Sequence, residues 1–323
     1  MKKIALSLIL LLIIAGVFII IFTLKLPQDT RLWREIHNTG HTPLFGIVAL
    51  AAFGLSQLIF PRYAASHSSH YLVALLAALA FGALIEVIQF WTPGDPDILD
   101  WLRDAAGALS FLGFHFAFAK RKSDHNGKSK NGLKSTFVVL SVFILLASFT
   151  PLGLWIGAYI VRNSALPVIC DFDSYGQNKF LYARMATLDI TRESQPWDDE
   201  GNGHFGKVQY RPSKYYPSLI IDEPYPDWTA YGNFKFVAFN PYDTTVHFGL
   251  RIDDFPGKKN HPARFDSLLG LRPGQNNIRV SIEAIGGSDQ VKRTDLKRIK
   301  AIQLYAIRPD RPLTLYFDNF RLE

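Results

Sequence analysis

The sequence predicts two unlike domains: an α-helical transmembrane bundle of five helices, then an all-β sandwich. Three observations carry this. Residues 1–160 are dominated by apolar runs, several of them near the length of about 20 helical residues that crosses a bilayer. Residues 168–323 are polar, aromatic and rich in turn residues, and their apolar and polar positions alternate in short runs. Mean hydropathy over the 323 residues is only +0.08, the average of two opposites.

The elements follow in order. Residues 4–24 form the first span, behind Met1-Lys2-Lys3. A signal-peptide core is about 7–15 residues and ends at a small-x-small site. This run is longer, and Leu24-Lys25-Leu26-Pro27 is no such site, so it reads as a retained helix, with its outer loop filling residues 1–36. Residues 25–42 read as a polar loop holding His37, Asn38 and His41. Residues 44–60 are the second span, rich in the Ala and Gly that let helices approach closely. Residues 71–90 are the third, with Glu86 and Gln89 in its last turns. Residues 98–119 are the fourth, with Asp100, Arg103 and Asp104 in its first turns. A basic loop, 120–135, sets Lys120, Arg121, Lys122, Lys128, Lys130 and Lys134 against Asp124. The fifth span lies within 136–162, with Pro151 and Gly153 as a kink.

Basic residues concentrate on the cytoplasmic side of membrane proteins. Lys2, Lys3 and the 120–135 loop therefore belong inside, and five crossings place them there together. The same count puts the amino terminus in the cytoplasm, and the turn after Trp91 and residues 168–323 outside. The net charge of +7 needs no nucleic acid, because the sharpest basic run flanks a span. No zinc spacing, P-loop or nucleic-acid motif is present. Cys170, the one cysteine, excludes an intrachain disulfide framework and offers a natural label for topology.

Carboxylates in a span cost about 2.5–3.5 kcal/mol each on insertion scales unless they find partners or water. Glu86, Gln89, Asp100, Arg103 and Asp104 nevertheless crowd around one turn. As a catalytic group Glu86 would be the proton acceptor, His41 an acid or orienting group, and Asp100 an orienting group. Gln89, Arg103 and Asp104 would line a binding site. Arg103, His41 and His37 are the cations within reach of Glu86. The plainer alternative is a polar network that only locks a helical hairpin, with Asp95 or Asp97 as a helix cap and Asp97–Asp100 as a capping box.

At these residues the chain resembles the VanZ-like family over residues 37–119. The family pattern runs Glu-x-x-Gln-x-x-x-Pro-Gly-Arg, then Asp-x-x-x-Asn-x-x-Gly, with Asp-Lys-x-x-His upstream. Glu86, Gln89, Pro93, Gly94, Asp100, Gly107 and His41 match it; Asp95, Asp104 and His37-Asn38 depart from it. The departures remove cations and add an acid. The resemblance implies a small membrane helix bundle in a bacterial cell envelope and a role in glycopeptide-type resistance.

Residues 168–323 contain five strand-like alternations: 234–239, 246–252, 277–282, 299–305 and 313–318. Turn clusters separate them, and 295–300 reads as a short helical turn. Ile169-Cys170-Asp171-Phe172-Asp173 and Leu315-Tyr316-Phe317-Asp318-Asn319-Phe320 resemble the first and last strands of carbohydrate-binding-module jelly rolls. That resemblance implies a jelly-roll sandwich, glycan binding, and a structural calcium, with Asp173 and Asp318 at the corresponding positions. The alternative for both aspartates is turn hydrogen bonding. Trp197, Tyr215 and Tyr216 lie in polar loops and suit a sugar-stacking platform, whereas Trp228, just before a strand, suits the core. No carboxylate pair stands out as a glycosidase dyad; whether the chain is an enzyme stays open, with a non-enzyme the first reading.

The expected function is therefore a VanZ-like membrane protein displaying a glycan-binding jelly roll outside the cell. Its partners would be the lipid bilayer and cell-envelope polysaccharide, and not nucleic acid. Two alternatives stay open. One is a membrane enzyme or transporter acting on a lipid-linked glycan or antibiotic-like ligand through Glu86 and Asp100. The other is an anchor that binds a protein partner.

Overall fold

The five long helices of this computed structural model are α1 (Lys2–Thr23), α2 (Arg31–Ile59), α3 (His67–Trp91), α4 (Ile98–Phe118) and α5 (Asn131–Ser164). The structure describes residues 2–24, 26–27, 29–60, 67–92, 97–119, 131–192, 203–255, 264–287 and 294–323. Among these the helices number seven, because two short ones, α6 (Tyr175–Asn178) and α7 (Ile282–Gly286), lie in the β-rich part. The chain divides into two compact units, Met1–Trp155 and Ile156–Glu323.

In the first unit, helix α2 corrects the expected loop. It starts at Arg31, where the Thr30 side chain accepts the Trp33 N–H (3.3 Å), and it runs through Pro43. An interior proline removes one backbone donor and crowds the carbonyl four residues earlier, so the rest of the packing must hold this helix together. The polar residues before Pro43 stay helical, and among them Glu35 and His41 find partners on α4. Among the described residues, four helices are long and apolar enough to cross a membrane: α1, α2, α3 and α5. Helix α4 falls outside that group on composition, since Asp100, Arg103 and Asp104 lie in its first two turns. Its 21 residues still span about 31 Å at 1.5 Å each.

Capping at α4 is partly as read. Asp97 is the N-cap and accepts the Leu99 N–H (2.9 Å). The reciprocal bond of a capping box does not come from Asp100, whose carboxylate goes to Arg103. Glu86 of α3 takes the Asp97 N–H instead (2.8 Å). Asp95 lies outside the described residues. The helices close on one another at glycines. A Cβ on Gly107 would strike the Thr42 carbonyl, and one on Gly46 the Phe111 ring. Small residues at a crossing let backbones meet in this way. Val48, Ala49, Phe53, Ala74, Ala78, Ala108 and Leu112 fill the space between.

The second unit is an antiparallel β-sandwich. Its strands are β1 (Val168–Cys170), β2 (Leu181–Arg184), β3 (Ala186–Thr191), β4 (Phe205–Tyr210), β5 (Ser218–Asp222), β6 (Asn233–Asn240), β7 (Val246–Asp254), β8 (Arg264–Leu271), β9 (Gly274–Ser281), β10 (Ile299–Ala306) and β11 (Leu313–Leu322). One sheet runs β3-β4-β11-β6-β9, with β1 also on β11; the other runs β2-β5-β10-β7-β8. Their facing sides bury Phe234, Phe236, Phe317 and Phe320 against Phe248, Leu250, Ile252, Ile302 and Leu304. Trp228 is fully buried and stacks on Phe234 (5.2 Å), as its position predicts.

The five expected strands are present, most of them longer. The others are short, like β1 and β2, or buried throughout, like β5, or hidden in sequence, like β8, whose burial alternates while Ser267 takes an inward place and Leu268 an outward one. The expected helical turn at 295–300 is a single turn, closed by Arg298 N–H to the Asp295 carbonyl (2.9 Å), that leads into β10. Cys170 is fully buried, and burial pushes its thiol up, so it cannot serve as the topology label.

Candidate functional site

The outward side of the five-stranded sheet gathers aromatic and hydrogen-bonding groups. Register fixes which residues share it. Tyr305 on β10 lies opposite Gly249 on β7, which lies opposite Leu268 on β8. One step along, Gln303, Arg251 and Asp266 stand abreast. Glycine inside a strand marks a close approach, and here the visitor is an aromatic ring. A Cβ on Gly249 would fall within the Tyr305 ring, so that ring lies flat across β7. Tyr216 meets it edge-on (5.6 Å between centroids), and Arg308 lies 5.5 Å from the Tyr216 ring centre.

Polar groups extend from the ring along the same face. Arg251 Nε and Arg264 Nε each donate to Asp266 (both 2.9 Å), and the Tyr305 hydroxyl lies 3.4 Å from the same carboxylate. Gln303 Nε2 donates to Asp253 Oδ2 (2.8 Å). Burial raises the Tyr305 phenol, and the Asp266 charge adds to that. Burial also raises the Asp253 carboxyl, against the pull of Arg251. The result is a solvent-facing row of carboxylate, amide and guanidinium groups beside a ring laid on the sheet. Such a row can stack on a sugar's C–H face and bond its hydroxyls.

In the first unit the polar residues of three helices converge. His41 Nδ1 lies 2.9 Å from Asp104 Oδ1, and its Nε2 lies 3.9 Å from Asp100 Oδ2. Arg103 Nη1 donates to Asp100 Oδ1 (2.5 Å), and its Nη2 lies 3.9 Å from Glu35 Oε2. Phe45 stacks parallel to the His41 ring. His41 is 3% exposed and Asp104 1%, so the pair is sealed. Glu86 Oε1, Gln89 Oε1 and Asp104 Oδ2 are buried acceptors without a donor among the described residues.

The sequence-derived candidates fare unequally. His41, Asp100, Asp104 and Arg103 come together; Arg103 serves Asp100 and Glu35, not Glu86. Glu35 was hidden in the supposed loop. In the second unit Tyr216 joins the Tyr305 face, and Tyr215 is 63% exposed beside it in sequence. Trp197 lies outside the described residues. Tyr305 and Gly249 were missed, although a glycine in the middle of an alternating strand was the signal.

The calcium implied by the jelly-roll resemblance does not fit the donors present. Asp173 Oδ1 accepts the His204 N–H (2.9 Å), lies 2.8 Å from the His204 ring Nδ1, and has Arg192 at 3.8 Å. Burial raises this carboxyl, but the His204 bonds and Arg192 outweigh that and hold it below its usual range. Asp318 Oδ1 accepts the Asn319 N–H (2.6 Å). Among the described residues no group of three or more His, Cys, Asp or Glu side chains could hold a metal ion.

No protein-family model matches the chain, and no curated protein matches it. Several solved structures are similar in part. One is a family 11 carbohydrate-binding module from Clostridium thermocellum in complex with a β-1,3-1,4-mixed-linked tetrasaccharide. It shares 13% identity at a TM-score of 0.39, over 48% of this chain and 94% of that one. An exo-β-agarase shares 17% identity at a TM-score of 0.39, over 48% of this chain and 24% of that one. The CBM22-1–GH10 modules of a Clostridium thermocellum xylanase, complexed with xylohexaose, share 9% at 0.34, over 48% and 27%. The sandwich itself rests on the strand order and register given above.

Proposed function

We propose that this chain is a membrane-anchored, glycan-binding protein of the bacterial cell envelope, its β-sandwich held on the outer side. The observation that carries the reading is the Tyr305 ring laid flat over Gly249, with Asp266 and Arg251 beside it and Gln303 and Asp253 further along the same face. An anchor of five crossings supports the outward placement. It counts α4 as a span whose ionisable groups are neutralised by pairing within the bundle, and it sets the basic loop in the cytoplasm. The test is a glycan array followed by titration with the detergent-solubilised full chain. Tyr305→Ala should weaken the best ligand by up to about tenfold, the upper worth of one aromatic contact. Tyr305→Phe should keep most of the affinity. Equal binding by wild type and Tyr305→Ala, or no glycan bound at all, contradicts the reading.

A second reading concerns the bundle. The His41 imidazole set between Asp104 and Asp100 supports a proton-transfer role toward a lipid-linked glycan or an antibiotic-like ligand. The VanZ resemblance supports glycopeptide-type resistance as its setting. Glu86→Gln separates this from a structural lock: unchanged glycopeptide susceptibility in cells making a stably folded variant removes Glu86 from any such role.

A further inference from the structure

The six-stranded sheet carries a feature the proposed glycan face does not use. Arg321 on β11 lies opposite Lys235 on β6, which lies opposite Arg279 on β9. All three alternate with core residues, so all three point outward: Phe320 and Leu322 flank Arg321, and Phe234 and Phe236 flank Lys235. Strands sit about 4.8 Å apart, so three cations stand abreast within roughly 10 Å. Like charges directly opposite one another destabilise a sheet. Glu323 meets them: its carboxylate pairs with Lys235 and also feels the charges of Arg279 and Arg321. Asp318 is the next outward residue along β11, beyond a register shift at Asn319. Arg321 also keeps a buried Nε donor with no acceptor among the described residues. One carboxylate shared by three outward cations leaves the row net positive on a solvent-facing sheet, which suits negative charge from outside. Asn233 and Ser281, which pair on the adjacent step, and Asn277 on the other side add neutral hydrogen-bonding groups suited to hydroxyls.

We propose that the Arg321–Lys235–Arg279 row binds an anionic polysaccharide, whose carboxylate, sulfate or phosphate groups lie across the three strands. The proposal does not depend on the Tyr305 face, which lies on the other sheet. It is tested by titrating the detergent-solubilised full chain with dextran sulfate, polygalacturonate and neutral dextran over a range of salt. The two anionic polymers should bind and dextran should not. Lys235→Gln/Arg279→Gln should weaken dextran sulfate about tenfold or more at low salt, and flatten the log-affinity against log-salt slope by about one per cation removed. Tyr305→Ala should leave dextran sulfate binding intact, so failure of either face is read separately. Arg279→Gln alone, which spares the Lys235–Glu323 pair, should melt no lower than wild type. An unchanged slope in the double variant, or dextran bound as well as dextran sulfate, overturns the proposal. So does a lower melting temperature for Arg279→Gln, because the row would then be structural. In nanodiscs, anionic lipid that abolishes dextran sulfate binding by the wild type would assign the row to the membrane surface and overturn it too.

Discussion

Glu86 links two helices, whatever else it does. Its Oε2 accepts the N–H of Asp97, the residue that caps α4, so it ties the end of α3 to the start of α4. Glutamine at this position can still accept that bond, whereas alanine cannot. Glu86→Gln should therefore hold the hairpin within a few tenths of a kcal/mol, and Glu86→Ala should lose about 1–2 kcal/mol, the usual cost of an emptied cap. Thermal melting in detergent measures both, beside the susceptibility assay above. At this scale the sequence shows which residues are unusual but not what they touch. Carboxylates in apolar runs are conspicuous because burial is costly. Their pairing is not conspicuous, and Arg103 chose Asp100 and Glu35 over Glu86. Tyr305 reads as an ordinary strand residue until the glycine opposite it is known, and that requires the register between β10 and β7.

At the scale of elements, helix α2 and the glycines explain each other. The polar stretch from Arg31 to Thr42 reads as a loop because polarity and Pro43 are ordinary end signals. It is helix, and Glu35 and His41 on it pair with α4. Gly107 is what lets α4 come that near, since the Thr42 carbonyl occupies the place a Cβ would take. Gly107→Ala should force α2 and α4 apart and cost about 1–3 kcal/mol, as overpacking does. Gly40→Ala, with open space around it, should not lower stability and provides the control. Thermal melting of the two variants in one detergent checks this; equal melting temperatures would mean that the crossing is not tight at Gly107. Strands were legible where one side faces the core and the other water, as in β6, whose burial alternates along its whole length. They were illegible where that contrast is absent: β5 is buried throughout, and β1 has three residues.

For the whole molecule, composition alone separates apolar helices from an aromatic, turn-rich β-sandwich. It cannot supply the side of the membrane, which rests on basic residues and on counting α4 as a crossing. Cys170 is sealed in the sandwich core and will not report on it. Thr187, on the solvent side of the outermost strand β3, is a better position. The decisive measurement is labelling of Thr187→Cys with a membrane-impermeant maleimide on intact cells and on lysed ones. Equal labelling before and after lysis is the predicted result, and it would place the β-sandwich where envelope glycans are. Labelling that appears only after lysis would put the sandwich in the cytoplasm and contradict the account.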